Sequence, residues 1–232
     1  MTKTNVIDMH SHILCGVDHG ASNIDVSKGL LHAAVDIGCV GVALTPHYYH
    51  HRRSLSSFLE KREAGLSEFR NMANESFPGV KIVAGAEVAF ESGLLENFDK
   101  DAFRSLCYEN TNVILLEMPI GQWRSGLVES VYDVIAMGFK PVIAHIDRYT
   151  DKQADEILEI SPIVQVNADA FSDFFKKRKM IKLYEKGKIH LVGSDAHDLD
   201  QRNYANFSKA CNKLSSEMIN YFYENSKKLL NI

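Results

Sequence analysis

Residues 5–12, Asn5-Val6-Ile7-Asp8-Met9-His10-Ser11-His12, run from a short apolar, β-prone segment straight into two histidines two positions apart. The apolar part, 5–9, reads as a first strand. On an extended backbone residues i and i+2 point to the same side, so both imidazoles can face one ion. Asp18, one short loop later, is a third candidate ligand. A lone His-x-His pair also occurs as surface histidines closing a buried strand, so the remaining strand ends decide between the two readings.

Outward from this stretch, strands and helices alternate to the end of the chain. Residues 25–37 have helical spacing, with Val26, Leu30, Ala33, Ala34 and Ile37 on one face. Asn23 or Asp25 can cap this helix and Gly38 ends it. Further strands are expected at 41–45, 80–86, 112–116, 140–144, 163–166 and 189–193. Helices are expected at 55–72, 127–137, 151–160, 172–185, 202–214 and 218–230, and residues 91–107 read as irregular with at most a short helix. Repeated βα units with apolar strands argue for a parallel sheet. Seven such units in one α/β domain spanning residues 1–232 favour a closed barrel over an open doubly wound sheet. No Gly-x-Gly-x-x-Gly follows any strand, which counts against a dinucleotide fold.

The composition fits one large globular domain: 232 residues, 45% hydrophobic and 24% charged. A formal net charge of -4 without a long basic run argues against non-specific nucleic-acid binding. No apolar run approaches a membrane span, so no membrane insertion is expected. Met1-Thr2-Lys3-Thr4-Asn5 leads directly into the first strand, with no signal peptide in view. Cys15, Cys39, Cys107 and Cys211 lack paired spacing and suit reduced thiols, hence a cytoplasmic location.

The strand ends carry the chemistry. They are His10 and His12; Thr45-Pro46-His47; Gly85-Ala86-Glu87; Leu116-Glu117-Met118-Pro119; Ala144-His145; Asn167; and Gly193-Ser194-Asp195-Ala196-His197. In a βα barrel these ends converge on one face, where active sites are built. Imidazole and carboxylate without thiolate favour manganese, iron or zinc over copper(I) or an iron–sulfur cluster. With Asp18 the ligands suit two or three ions rather than one. Three divalent ions against four ionised carboxylates would leave a charge of about +2, an anion trap fit for phosphate.

With these residues in hand, the sequence resembles the PHP (polymerase and histidinol phosphatase) family. The matching pieces are Asp8-Met9-His10-Ser11-His12, Thr45-Pro46-His47, Gly85-Ala86-Glu87, His145 and Ser194-Asp195-Ala196-His197. Within it, Ile13-Leu14-Cys15-Gly16-Val17-Asp18-His19-Gly20-Ala21, Leu116-Glu117-Met118-Pro119 and His145-Ile146-Asp147-Arg148-Tyr149 are most similar to the manganese-dependent protein tyrosine phosphatases of bacterial capsule and exopolysaccharide operons. The resemblance implies a distorted (β/α)7 barrel and a three-metal site. His10, His12, Glu87 and Asp195 would hold one ion. Glu87 would bridge to a second, completed by Glu117 and His145, and Asp18, His47 and His197 would hold a third. Arg148 and Arg202 match two phosphate-binding arginines. The implied substrate is the phosphotyrosine-bearing tail of a bacterial tyrosine kinase. The chain departs from the family at His19, usually an acid, and at Ile146-Asp147, usually Pro-Glu.

Other residues are read both ways. His32 and His190 fall inside elements and read as structural. The loop 48–53, with Tyr48, Tyr49, His50, His51, Arg52 and Arg53, is either solvated or a substrate grip, with Tyr48 and Arg52 as candidate contacts for a phosphotyrosine ring and its anion. Asp8 is expected to orient a ligand histidine. Trp123 and Phe171 either line the pocket or pack in the core. Rival readings are a small-molecule PHP phosphatase or phosphodiesterase, a barrel amidohydrolase, whose usual strand-four lysine is replaced here by Glu117, and a non-catalytic metal-bound scaffold.

Overall fold

The computed structural model describes residues 5–91, 93–160, 162–200 and 204–232. The strands, in chain order, are β1 (Val6–Ser11), β2 (Cys39–Leu44), β3 (His47–Tyr48), β4 (Lys81–Ala84), β5 (Glu87–Ala89), β6 (Val113–Glu117), β7 (Lys140–Ile143), β8 (Ile163–Asn167) and β9 (Leu191–Gly193). Every pairing between them is parallel. Three strands run in the order β1-β2-β4 and six in the order β3-β5-β6-β7-β8-β9. The sheets curl toward each other at both ends. Ser11 bridges Ala196, and the His12 N–H donates to the Ala196 carbonyl at 2.8 Å. At the other corner the chain itself steps from β2 to β3 and from β4 to β5, with the Gly85 N–H donating to the Leu44 carbonyl at 2.9 Å and the Glu87 N–H to the Pro46 carbonyl at 3.1 Å.

The expected third strand, 80–86, is realised as β4 and a step at Gly85-Ala86, after which the chain resumes as β5 in the other sheet. His47-Tyr48 adds a short strand that the sequence did not announce. The segment read as irregular holds two helices, Leu94–Asn97 and Lys100–Leu106. The second begins where Asp99 Oδ1 accepts the Ala102 N–H at 2.8 Å, a capping bond that a local reading of 91–107 missed.

Burial explains the curl. In β6, Val113 and Leu115 face an inner cluster with Ile7, Met9, Ala43, Val142 and Leu191, while Ile114 and Leu116 face the outer core under the helices. Both faces are covered, so the strand reads as a continuous apolar run. The final helix, Ser216–Leu230, starts at a Ser215 cap and delivers Leu230 to the inner cluster. Met9 and Ala144 immediately precede His10 and His145, and Leu115 stands two residues before Glu117, so this apolar plug is the floor on which the strand-end ligands stand. Each buried Leu or Ile contributes roughly 1.5–3 kcal/mol to holding it. Among the described residues, no helix is long and apolar enough to cross a membrane.

Candidate metal centre

Glu87 is the focus of the strand ends. It opens β5, is 1% exposed, and aims its carboxylate into four imidazoles. Oε2 lies 3.2 Å from His10 Nε2, 3.1 Å from His12 Nε2 and 2.8 Å from His47 Nδ1. Oε1 lies 2.9 Å from His145 Nε2. His10 and His12 face each other Nε2 to Nε2 at 3.0 Å, as the strand period requires, while Ser11 between them turns away and donates to the Ala43 carbonyl at 2.7 Å. Asp195 Oδ1 stands 3.7 Å from His10 Nε2 and 3.4 Å from His12 Nε2. Glu117 Oε1 stands 3.4 Å from His145 Nε2, and its Oε2 is 3.8 Å from His47 Nδ1.

The electrostatics of this cluster are those of a cation site. Burial opposes ionisation of Glu87, yet the surrounding histidines, His10 foremost, hold its carboxyl well below the usual range. Burial opposes the charged form of His145, but its bonds to Glu117 and Glu87 raise its pKa to about 9. His12 is driven well above its ordinary value by Asp18, Asp195 and Glu87 against the same burial penalty. Glu87 Oε2 and His145 Nδ1 are buried polar atoms with no hydrogen-bond partner in proper geometry. Imidazole nitrogens crowded on a bare carboxylate oxygen fit divalent ions of the nitrogen–oxygen class, and His10–His12–Asp195 and His47–Glu87–Glu117 each bring three donor atoms within 4.8 Å of one another.

Backbone strain accompanies these ligands. His145 and Asp195 both sit at positive φ, 34° and 53°, a left-handed geometry that costs of order 1–3 kcal/mol for a side-chain-bearing residue. The Asp195 turn is pinned from below. Asp8 accepts the Ser194 N–H at 2.8 Å and the Ser194 hydroxyl at 2.6 Å, and the Tyr204 hydroxyl at 2.6 Å. Asp8 also takes the His10 backbone N–H at 3.2 Å, so it fixes the chain at His10 rather than orienting a ligand ring. The ring partner is Gln165. Its Oε1 accepts the His145 N–H at 2.7 Å and lies 3.4 Å from His10 Nδ1, while its amide donates to Asn167 Oδ1 at 2.9 Å. Asn167 in turn donates to Asp195 at 3.2 Å. Gly193 must lack a side chain, since a Cβ there would lie 2.6 Å from the His10 Cβ and 2.7 Å from the Gln165 amide nitrogen. The signal missed in Ile163-Val164-Gln165-Val166-Asn167 was two amides on one face of an apolar strand.

Of the set the resemblance implies for a third ion, His47 lies beside Asp18 on one side and His197 on the other. Asp18 Oδ2 pairs with His12 Nδ1 at 2.7 Å and accepts the His47 N–H at 2.8 Å, and Oδ1 accepts the Gly20 N–H at 2.9 Å. Despite burial, these bonds hold its carboxyl below the ordinary range. His12, His47 and His197 donor nitrogens lie within 4.8 Å of one another, and the His12 and His197 rings stack at 4.0 Å.

Around the rim, Arg148 pairs with the Asp195 carboxylate. Arg202 lies outside the described residues. Tyr48, expected at the substrate, is 1% exposed and packs on Phe58 with ring centroids 4.8 Å apart. The strand period turns it into the core and turns Tyr49 back toward the site, with its hydroxyl 3.3 Å from His47 Nδ1. The Arg52 guanidinium lies 4.7 Å from the Tyr49 ring centroid. These residues and Val17, Asp18, His19, His47, Arg53 and Phe58 line a cavity of about 300 Å³. His50 and His51 turn toward Glu91 instead, His51 Nδ1 lying 3.1 Å from its carboxylate. Phe171 is core, and Trp123 donates to the Pro119 carbonyl at 2.7 Å while its ring meets Tyr149 edge-on. His32 pairs with Asp36 on the surface, and His190 accepts the Val164 N–H. The Ile146-Asp147 departure is absorbed: Ile146 is buried and Asp147 accepts the Asn167 N–H at 2.9 Å.

The tyrosine-protein phosphatase CpsB of Streptococcus pneumoniae is 28% identical over 212 residues, covering 85% of each chain. The tyrosine-protein phosphatase YwqE of Bacillus subtilis is 27% identical over 209 residues, covering 86% of this chain and 80% of its own. A crystal structure from work on YwqE and CpsB, described as unique metal-dependent tyrosine phosphatases, superposes with a TM-score of 0.78 at 24% identity over 97% of this chain and 94% of that one. A phosphotriesterase homology protein from Escherichia coli shares the fold at a TM-score of 0.62 and 11% identity, over 99% of this chain and all of that one. Residues 6–231 match the family of capsular polysaccharide synthesis proteins CpsB/CapC, and the chain belongs to that family.

Proposed function

We propose that the chain is a metal-dependent tyrosine-protein phosphatase acting in the cytoplasm on the phosphotyrosine tail of a bacterial capsule-type tyrosine kinase. The observation that carries this reading is the convergence of His10, His12, His47 and His145 on the buried Glu87 carboxylate. The names of the relatives support the activity, and four free cysteines support a reducing compartment. The frame we assign is a distorted (β/α)7 barrel, supported by the contact of β1 with the segment after β9.

His10, His12, Glu87 and Asp195 would hold one ion, Glu87, Glu117 and His145 a second, and Asp18, His47 and His197 a third, with manganese first and iron or zinc as the other candidates. Divalent ions bound there supply Lewis acidity, bringing the pKa of water toward neutrality and offsetting phosphate charge. The protein does the rest. Glu87, buried between His10, His12 and His47 on one oxygen and His145 on the other, would be the ligand shared by the two inner ions. Gln165 and Asp18 hold the His10 and His12 rings in their orientations. Arg148, part-buried beside Asp195, presents donors that strengthen as charge redistributes over the phosphoryl oxygens. Tyr49 and Arg52 give the cavity an aromatic wall and a cation suited to a phosphorylated ring. A phenolate leaving group, pKa about 10, needs less proton assistance than a serine alkoxide.

The test is kcat/KM of the manganese-loaded protein on phosphotyrosine peptides, phosphoserine peptides and small phosphoesters. Faster phosphotyrosine hydrolysis is expected. Equal or reversed values would move the assignment to a small-molecule phosphatase on the same scaffold.

A further inference from the structure

His19 stands at the open edge of the imidazole array and has no part in the ion sets above. Its ring lies parallel to that of His47, with centroids 4.9 Å apart and planes 11° apart, and its centroid is also 4.9 Å from that of His197. A ring nitrogen of His19, one of His47 and a carboxylate oxygen of Asp18 all lie within 4.8 Å of one another. Three donors from three residues in that space are close enough for small side-chain adjustments to bring them onto one transition ion at about 2.0–2.2 Å from each ligand.

The backbone at His19 is held in place by its neighbours. The Gly20 N–H donates to Asp18 Oδ1 at 2.9 Å, and the Ala21 N–H donates to the His12 carbonyl at 3.0 Å. A Cβ at residue 20 would collide with that same carbonyl, so only glycine lets the loop press this closely on the His12 strand end. The loop 18–21 is thereby fixed to His12 of the buried cluster, by Asp18 at the ring and by Ala21 at the backbone, with His19 between these two anchor points. His19 itself is exposed and lines the cavity with Asp18, His47 and Tyr49. A ligand here would leave its ion open to an incoming phosphate, the arrangement of a catalytic rather than a closed structural site.

We infer that His19 is a metal ligand, joining Asp18 and His47 at the outermost ion position. The inference rests on the metal centre proposed above. Adding an imidazole makes that position richer in nitrogen. Imidazole suits zinc, iron and cobalt, whereas carboxylate and water suit manganese, so His19 biases the outer position away from manganese while the carboxylate-rich inner positions keep their preference.

The experiment titrates the metal-depleted full chain with Co²⁺, read by visible absorption. Zn²⁺ and Mn²⁺ in competition are read by elemental analysis. Wild type is compared with His19→Ala and His19→Asp, and a thermal melt of each checks folding. In His19→Ala one class of ion should bind at least about tenfold more weakly, with loss of part of the cobalt spectrum. In His19→Asp the ion count should hold while the Zn/Mn ratio shifts toward manganese. Wild-type count, affinity and spectrum in a folded His19→Ala would overturn the ligand role and leave the metal centre standing. Absence of any bound ion in the wild type would overturn the metal centre and this inference with it. Should His19→Ala fail to fold, an unchanged Zn/Mn ratio in His19→Asp overturns the role on its own.

Discussion

The inner and outer parts of the imidazole array are built differently. Around Glu87, the side chains of His10, His12 and His145 are wholly buried. They rest on an apolar plug and are gripped through Gln165, Asp18 and the strained turns at His145 and Asp195. Around His47, His197 and His19, the His19 ring stacks on His47 and meets His197 at a tilt, and His47 and His19 open onto a cavity. Buried ligands gripped from behind suit ions that stay in place, and a stacked, open edge suits the side where a substrate arrives and a product leaves. The contrast also assigns work to residues that touch no ion, because a buried ligand is only as well placed as the group behind it.

The contrast is broken hardest at Glu87. Glu87→Gln removes the carboxylate shared by four imidazoles and should cost on the order of 10³-fold in kcat/KM, about 4 kcal/mol, with loss of bound metal. Glu117→Gln, whose carboxylate reaches two of these imidazoles, His145 and His47, and is 12% exposed, should cost less, on the order of 10²-fold. If Glu117→Gln is the more damaging and Glu87→Gln keeps its metals, the bridging role belongs elsewhere.

Arg148 tests the substrate side. A guanidinium cannot ligate a cation, so Arg148→Ala should keep its metal while losing on the order of 10²-fold in kcat/KM, about 2–4 kcal/mol. Arg148→Lys should recover part of this, since a point charge lacks the two-pronged geometry. Metal loss in Arg148→Ala would show that its pairing with Asp195 is the role that matters.

Gln165→Leu sharpens the contrast with the smallest effect. It leaves every ligand in place and removes the acceptor behind His10 and the His145 N–H. Metal affinity should fall about 10–100-fold with kcat near wild type once metal is saturating. Unchanged affinity in an equilibrium titration would mean that the buried ligands hold themselves.

Much of this was legible because strands have a period of two. The His10–His12 pair, and Glu87, Glu117, His145 and Asp195 at strand ends, follow from local pattern. The same period, applied to the unannounced strand β3, would have exchanged Tyr48 for Tyr49, since residues 47 and 49 share a face. Gln165 was hidden because a buried amide looks like an interruption until its partners are known. They lie 155 and 20 residues away, at His10 and His145. The step at Gly85-Ala86 and the new strand from Glu87 depend on sheet pairing at Leu44 and Pro46, contacts that no local window contains. The cap at Asp99 was local and was overlooked.

Elemental analysis of the manganese-reconstituted, desalted wild-type chain tests whether the cluster around Glu87 is a metal centre at all. The buried ligand sets predict two or three ions per chain, retained through buffer exchange. Less than one ion per chain would contradict it and return His10, His12, His47 and His145 to the role of a proton-sharing network around a buried carboxylate.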